Sequence, residues 1–437
     1  MVTEQNILAV LSKIIDPDFN RDIVSLGFVK NIKIEGKNVS LEIELTTPAC
    51  PIKAEFQRQA EEALKSLESV ERVSVNMTSQ VKPKVAGPNT PSTLSQVRSI
   101  IAVSSCKGGV GKSTIAACLA LELAGRGFKV GLIDADIYGP SIPTLLNLHH
   151  VSIRTNEKQQ LIPIERNHLK IMSFGFLLGD SPAVLRGPIV SRYVQQLLHS
   201  TAWGELDYLF IDMPPGTGDI QLTITQSLQI SGAVIVTTRQ SLSLVDVSRG
   251  ILMFEKVDVP MLGIIENMSY FLCDGCQKKH YIFGEGGKLL EERFGLPILA
   301  ELPLLKELSG KLEKPLQNDF LKNAVDAVVR ALGKSSMTKK EIPHISFNEK
   351  ETQLKWPDGK EVIVSNRDLR LSCRCALCVN ELTGEQILRA ENIKPDIQPK
   401  EITPLGNYAV GITWNDGHAS GIYPYKSICE ITKICLF

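Results

Sequence analysis

Residues 106–114 read CKGGVGKST and lie between a short apolar run (99–104) and a stretch with apolar residues at helical spacing (115–124). Glycines at this density let successive backbone N–H groups turn inward toward phosphate oxygens. A helix starting there adds the positive end of its dipole. The order fits the phosphate-binding pattern G-x-x-x-x-G-K-[ST] except at its first position, where Cys106 stands for glycine. A strand–loop–helix of this kind binds a nucleoside triphosphate through Cys106, Lys107, Gly108, Gly109, Val110, Gly111, Lys112, Ser113 and Thr114. Lys112 is expected on the β- and γ-phosphates and the Ser113 hydroxyl on Mg²⁺.

Acidic residues follow two further apolar runs. The run 129–134 ends at Asp134, with Asp136 next but one, at the strand end where open α/β sheets bind ligands. The run 208–212 ends at Asp212, a Walker B arrangement in which an aspartate holds Mg²⁺. Pro214, Pro215, Gly216 and Gly218 then form an irregular loop that a γ-phosphate could order.

Five of the ten cysteines fall in two clusters and the rest are scattered. Cys273 and Cys276 form C-x-x-C, and thiolates at that spacing chelate one metal centre together. Two ligands are half a set, and a two-fold dimer would supply the other half. Structural zinc and a redox dithiol are the alternatives, and spacing alone does not separate iron from zinc. Cys373, Cys375 and Cys378 could give three ligands with one position open, or form a cysteine-rich turn. Cys50 precedes Pro51 at an expected helix start, which would favour thiolate. Cys118, in an apolar helix, reads as a small buried hydrophobe.

The elements that must position these residues fall into three segments. Residues 1–80 read helix, two strands, helix, strand, a small α/β domain. A Pro/Ser/Thr/Gly-rich linker covers 81–97. Residues 98–333 alternate β-branched apolar runs with helical stretches, the pattern of a doubly wound α/β domain around a parallel sheet. A second linker covers 334–345. Residues 346–437 form a mainly β domain, with Asp358–Gly359 and Asp416–Gly417 as hairpin turns. The tail YPYKSICEITKICLF alternates like a strand.

The order K-G-G-V-G-K-S resembles the deviant Walker A of the MinD, nitrogenase iron-protein and Mrp group. DMPPGTGD (212–219) and ENMSYFLCDGC (266–276) are similar to the Mrp, or ApbC, iron–sulfur cluster carriers specifically. IIDPDFNRDIVSLGFV (14–29) and TTPACPIK (46–53) resemble the small domain of iron–sulfur assembly factors, and LSCRCALCVNELTGE (371–385) a C-terminal domain found in chloroplast high-chlorophyll-fluorescence Mrp proteins. The resemblance implies an ATP-hydrolysing homodimer, with Lys107 reaching the partner's nucleotide and Asp136 orienting the attacking water. It implies Asp134 in the Mg²⁺ surroundings with Ser113 and Asp212, and Asn267 against the adenine. It implies a [4Fe–4S] cluster bridged by two Cys273/Cys276 pairs, taken from scaffold donors and passed to apo-proteins. Cys50, and Cys373 with Cys375 and Cys378, become additional sites for handling a cluster or metal.

Composition narrows the classes. An apolar fraction of 43% and a charged fraction of 22% are ordinary for a globular chain. With 48 basic and 48 acidic residues, the chain lacks the basic excess of a nucleic-acid binder. It has no signal-peptide start and no run long enough to span a bilayer. The expected place is therefore the cytoplasm, or the plastid stroma as a mature form. The rival readings are a positioning ATPase like MinD or ParA, a non-catalytic zinc-stabilised interaction protein, and a reductase like the nitrogenase iron protein.

Overall fold

The computed structural model describes residues 2–79, 92–149, 151–178, 187–216, 218–239, 244–282, 287–312, 315–337, 342–375, 377–380, 385–406 and 408–432. Most of the first expected linker, and residues 338–341 of the second, lie outside them, as does Cys435. The chain divides into two compact units, residues 1–85 with 325–338, and residues 86–324 with 339–437.

In the first unit, helix α1 (Glu4–Leu11) is capped by Thr3, which exchanges hydrogen bonds with Asn6. Such a cap is worth about 1 kcal/mol. Strands β1 (Val29–Glu35) and β2 (Asn38–Leu45) pair antiparallel, and α2 (Lys53–Lys65) carries the chain over to β3 (Arg72–Ser79), parallel to β2. β2 alternates buried and half-exposed residues, so Leu41, Ile43 and Leu45 meet Phe56, Ala60 and Leu64 of α2 in one core. These elements follow the expected order, with one unforeseen short pairing, Ile15–Asp16 with Arg21–Asp22, between α1 and β1. Helix α6 (Asp319–Met337) corrects the second linker, because residues 334–337 are helical. Met337 packs against the core of this unit, which extends the helix beyond Gly333.

The second unit is built on a nine-stranded sheet. Its strands are β4 (Val97–Ser104), β5 (Val130–Asp134), β6 (Ile164–Arg166), β7 (Leu169–Ser173), β8 (Leu206–Asp212), β9 (Gly232–Thr237), β10 (Met261–Leu272), β11 (Lys279–His280) and β12 (Ile298–Pro303). The order is β6-β7-β5-β8-β4-β9-β10, with β12 and β11 both pairing to β10. All pairings are parallel except those of β6 and β11. Helix α3 (Lys112–Gly125) follows β4 and is buried nearly all round, including Ile115, Leu119, Leu121 and Leu123, as befits a helix wrapped in core. The strand order reverses at β4, which lies between β8 and β9. The crevice beyond the carboxyl ends of these strands is where such sheets bind ligands.

Helices α4 (Leu244–Lys256) and α5 (Gly287–Phe294) also belong to this layer. Part of the strand-rich segment that follows packs onto them. Leu405, Ala409 and Ile422 join the core formed by Ile251, Phe254 and Phe294, and the Tyr408 hydroxyl lies 3.0 Å from Glu255. This strand-rich part holds two three-stranded antiparallel sheets. The first is β13 (His344–Phe347), β14 (Glu351–Lys355) and β15 (Glu361–Ser365), followed by α7 (Asn366–Leu371). The second is β16 (Pro399–Leu405), β17 (Ala409–Trp414) and β18 (Gly421–Pro424). Gly359 and Gly417 take the positive φ their turns require. The tail departs from expectation: Tyr425–Ile431 is a helix, α8, and buries Tyr425, Ile428 and Cys429 on one face. No helix among the described residues is long and apolar enough to cross a membrane.

Candidate functional site

The phosphate loop runs from the end of β4 into α3. Gly109 and Gly111 have φ of 79° and 82°. Gly111 is the N-cap of α3 and gives it no side-chain cap, so the first N–H groups of the helix face the loop. A Cβ on Gly111 would collide with the Asn267 amide. That amide donates to the Val110 carbonyl at 3.0 Å, and Asn267 is buried. Asn267 thus braces the phosphate loop from the middle of β10. Its amide nitrogen is engaged by the loop backbone, while its side-chain oxygen is buried with no hydrogen-bond partner among the described residues. The Cys106 sulfur packs on α4, where a Cβ at Gly250 would stand 2.7 Å away.

Lys112 is buried, with its ammonium 2.5 Å from the Asp212 carboxylate and 3.2 Å from the Ser113 hydroxyl. Asp212 ends β8 in register with Asp134 of β5, so two fully buried carboxylates sit on adjacent strands. Asp134 accepts from the Ser173 hydroxyl at 2.9 Å, the Ile142 N–H at 3.1 Å and the Asp136 N–H at 3.3 Å. Both its oxygens hold the loop that carries Asp136, and Asp136 in turn accepts from the Gly139 N–H at 3.2 Å. Lys107 is exposed at the start of the loop, and its carbonyl accepts from the Ser105 hydroxyl at 2.9 Å. Thr217 lies outside the described residues, and the Gly216 N–H is held by the Ser105 carbonyl at 3.0 Å.

Burial, reinforced by the negative charge of Asp212, pushes Asp134 up to about 7 from 3.8. Burial raises Asp212 as well, against the pull of Lys112. The sign follows from linkage. Between pH 3.8 and about 7 the folded chain keeps a proton on Asp134 that the unfolded chain has released, so stability falls as pH rises through that window. Asp134→Asn therefore gives a flatter profile than wild type in nucleotide-free protein. Urea midpoints at several pH values across the window check this; parallel wild-type and variant profiles would contradict it.

Cys273 follows β10 directly, and the turn to β11 brings Cys276 and His280 beside it. Ligand atoms of the three lie within 4.8 Å of one another. Backbone N–H groups of Cys276 and Gly275 hydrogen-bond the Cys273 sulfur and hold its thiol below the usual range. Cys276 and His280 are exposed. His280 was not singled out in the sequence; its position seven residues beyond Cys273 fits no short spacing rule.

Cys373, Cys375 and Cys378 come together around His418, whose Nε2 lies 3.2, 3.5 and 4.0 Å from the three sulfurs. The expected open position is thus filled by an imidazole from the turn between β17 and β18. All three sulfurs are buried. Arg370 donates to the Cys378 sulfur at 3.3 Å and pairs with Asp416 at 2.9 Å. Ser420 donates to the Cys375 sulfur at 3.4 Å. Hydrogen bonds from Cys373 and Cys378 hold Cys375 far below the thiol range, and hydrogen bonding to Cys375 and Cys378 pushes Cys373 up. Burial opposes charging of His418, but hydrogen bonds to Cys375 and Cys378 outweigh it and raise it to about 9. A set of atoms within 4.8 Å of one another suits a tetrahedron around one ion at about 2.3 Å from sulfur.

Cys50 departs from expectation. Helix α2 begins at Lys53 with Ile52 as its cap, and burial pushes the Cys50 thiol up rather than down. Cys118 is buried and pushed up to about 12, the small hydrophobe foreseen.

Residues 96–332 match the family described as NUBPL iron-transfer P-loop NTPase. Residues 4–76 match iron–sulfur cluster assembly protein, and residues 344–428 gamma-butyrobetaine hydroxylase-like, N-terminal. The chain is 44% identical over 449 residues to the chloroplastic Fe-S cluster assembly factor HCF101 of Arabidopsis thaliana, covering 99% of this chain and 83% of that one. It is 43% identical over 310 residues to the iron-sulfur cluster carrier protein of Synechocystis sp., covering 70% and 88%. Among solved structures, the ADP complex of a nucleotide-binding protein from Archaeoglobus fulgidus is 39% identical, with a TM-score of 0.45, covering 55% of this chain and 90% of that one.

Proposed function

Because this chain belongs to the family of iron-transfer P-loop NTPases, we propose that it is a homodimeric ATPase that carries a [4Fe–4S] cluster from scaffold donors to apo-proteins. The observation that carries the reading is the joining of two sites by one strand. β10 braces the phosphate loop through Asn267 and then presents Cys273 and the turn to Cys276 at its far end. A change at the nucleotide therefore has a short, rigid path to the thiols.

In this reading the loop amides, Lys112 and Thr114 hold ATP, while Lys107 of each subunit reaches the partner's phosphates. Ser113 and Asp212 fit Mg²⁺: one Asp212 oxygen is buried without a partner among the described residues, and a divalent ion would supply the missing charge. Asp134 contributes by fixing the loop that carries Asp136, which orients water. Two Cys273/Cys276 pairs meeting on the dimer axis give four thiolates, the usual complement of a cluster. The cluster is cargo, bound in one nucleotide state and released in the other.

The two relatives described are iron–sulfur factors by name, which disfavours a positioning ATPase. The chloroplastic relative suggests a plastid form. The Cys373/Cys375/Cys378/His418 set is read as a closed structural metal site, best suited to zinc, rather than as a labile cluster. All four positions are filled by protein and the sulfurs are buried, as in structural sites.

Cluster transfer to an apo-protein tests the coupling. Lys112→Ala, with ATP present, is expected to lose at least tenfold in transfer rate while retaining its cluster. Transfer at the wild-type rate would remove ATP from the required steps.

A further inference from the structure

We propose that within a single subunit Cys273, Cys276 and His280 form a three-ligand site for one thiophilic divalent metal ion, its fourth position open to solvent. This assignment deepens the carrier reading, on which it rests for the role of the two thiols. It adds a ligand, and a loading state that needs no partner.

The register of the hairpin builds the site. Phe271 pairs with His280 and Leu272 with Lys279 across β10 and β11. Side chains alternate along a strand, so Phe271, Cys273 and His280 share one face and Tyr270 and Lys279 the other. Contacts on both faces agree. The Lys279 ammonium stands 4.4 Å over the Tyr270 ring, and the rings of Phe271 and His280 are 6.5 Å apart. The Cys273 N–H donates to the Lys278 carbonyl at 3.1 Å, and the Gln277 N–H to the Cys273 carbonyl at 2.8 Å, closing the turn. Gln277 takes a φ of 55° to do so. The turn folds Cys276 back onto the face that carries Cys273 and His280.

The spacing argues for one ion. Ligand atoms within 4.8 Å of one another fit three corners of a tetrahedron about a single metal at 2.0–2.3 Å. A four-iron cluster in one subunit would lack two of its thiolates, whereas one ion lacks a single ligand that water supplies. Three protein ligands with an open fourth position differ from the closed four-ligand set of structural sites and leave the ion open to an outside ligand. The exposure of Cys276 and His280 leaves that position facing solvent. The buried set around His418 differs in both respects, being closed and covered. In the dimer the four thiolates complete the cluster, one on each iron, so the imidazole is a ligand of the single subunit only.

Anaerobic Co²⁺ titration of full-length, nucleotide-free protein tests this, at concentrations where light scattering shows a monomer. Absorption bands report the ligand field at each site. The His418 site keeps its structural metal, so wild type is expected to take one equivalent. The Cys273→Ala/Cys276→Ala variant takes none, and His280→Ala binds it at least tenfold more weakly with an altered band envelope. Reconstitution of His280→Ala with iron, sulfide and ATP is expected to give wild-type cluster content. A His280→Ala titration matching wild type would overturn the assignment, as would loss of its cluster. If the Co²⁺ results hold and wild type fails to assemble any cluster, the carrier reading fails and this site stands.

Discussion

Lys107→Ala lowers kcat for ATP hydrolysis by about 10³–10⁵ while leaving ATP affinity within a few-fold, the loss seen when a charge-neutralising finger is removed. The division of labour between the two lysines underlies the expectation. Lys112 is buried and committed to Asp212 and Ser113 in its own subunit. Lys107 is exposed, on a backbone held by the Ser105 hydroxyl. A lysine so placed contributes little to ground-state binding, and its charge counts where negative charge builds on the transferred phosphoryl group. The proposed action across the interface makes complementation the expected result. Lys107→Ala mixed with Asp136→Asn, which keeps its lysine and lacks the water-orienting carboxylate, should recover roughly a quarter of wild-type activity by statistical pairing in a two-fold dimer. An inactive mixture, or a Lys107→Ala protein with wild-type kcat, contradicts the cross-subunit role.

Stripping the metal proposed at the Cys373/Cys375/Cys378/His418 site is expected to unfold the strand-rich domain around it. Structural zinc in small domains contributes an apparent ~10–16 kcal/mol, comparable to the whole stability of an ordinary domain, about 5–15 kcal/mol. Three sulfurs sit in the same core as Trp414, Tyr423 and Tyr425, so the metal's departure leaves crowded thiols where packing was tight. Chelator treatment or His418→Ala is expected to lower the melting temperature by ten degrees or more, with a red shift in tryptophan emission. The pH dependence has a definite sign. His418 must be neutral to bind metal, and its metal-free pKa is raised to about 9, so affinity falls as pH drops below that value. Metal analysis with calorimetry checks both; an unchanged melt in metal-free protein would show that the four ligands do not support the fold.

Much of the central site was legible because its parts are contiguous. Phosphate loop, Walker aspartate and C-x-x-C pair each occupy a few neighbouring residues at the end of an apolar run, and the sheet only had to bring run-ends together. What stayed hidden depends on distant pairing. His418 lies forty residues beyond Cys378 and reaches it only because the β17–β18 turn folds over α7. The hydrogen bond by which Asn267 braces the phosphate loop joins it to the Val110 carbonyl, 157 residues away, and no local pattern announces it. The tail alternates in sequence, yet Tyr425, Ile428 and Cys429 also fit one helical face, and packing beneath the sheets selects the helix. Cys50 fails for a related reason: proximity to a helix start argued for thiolate, and burial, invisible in sequence, outweighs it.

Iron and acid-labile sulfide per chain, measured together with molar mass after anaerobic reconstitution in the presence of ATP, test the central claim most directly. The account predicts a dimer holding one [4Fe–4S] complement per two chains, and its loss in Cys273→Ala/Cys276→Ala with the dimer preserved. A protein that stays monomeric with ATP bound and takes up the same iron and sulfide without that thiol pair would contradict it.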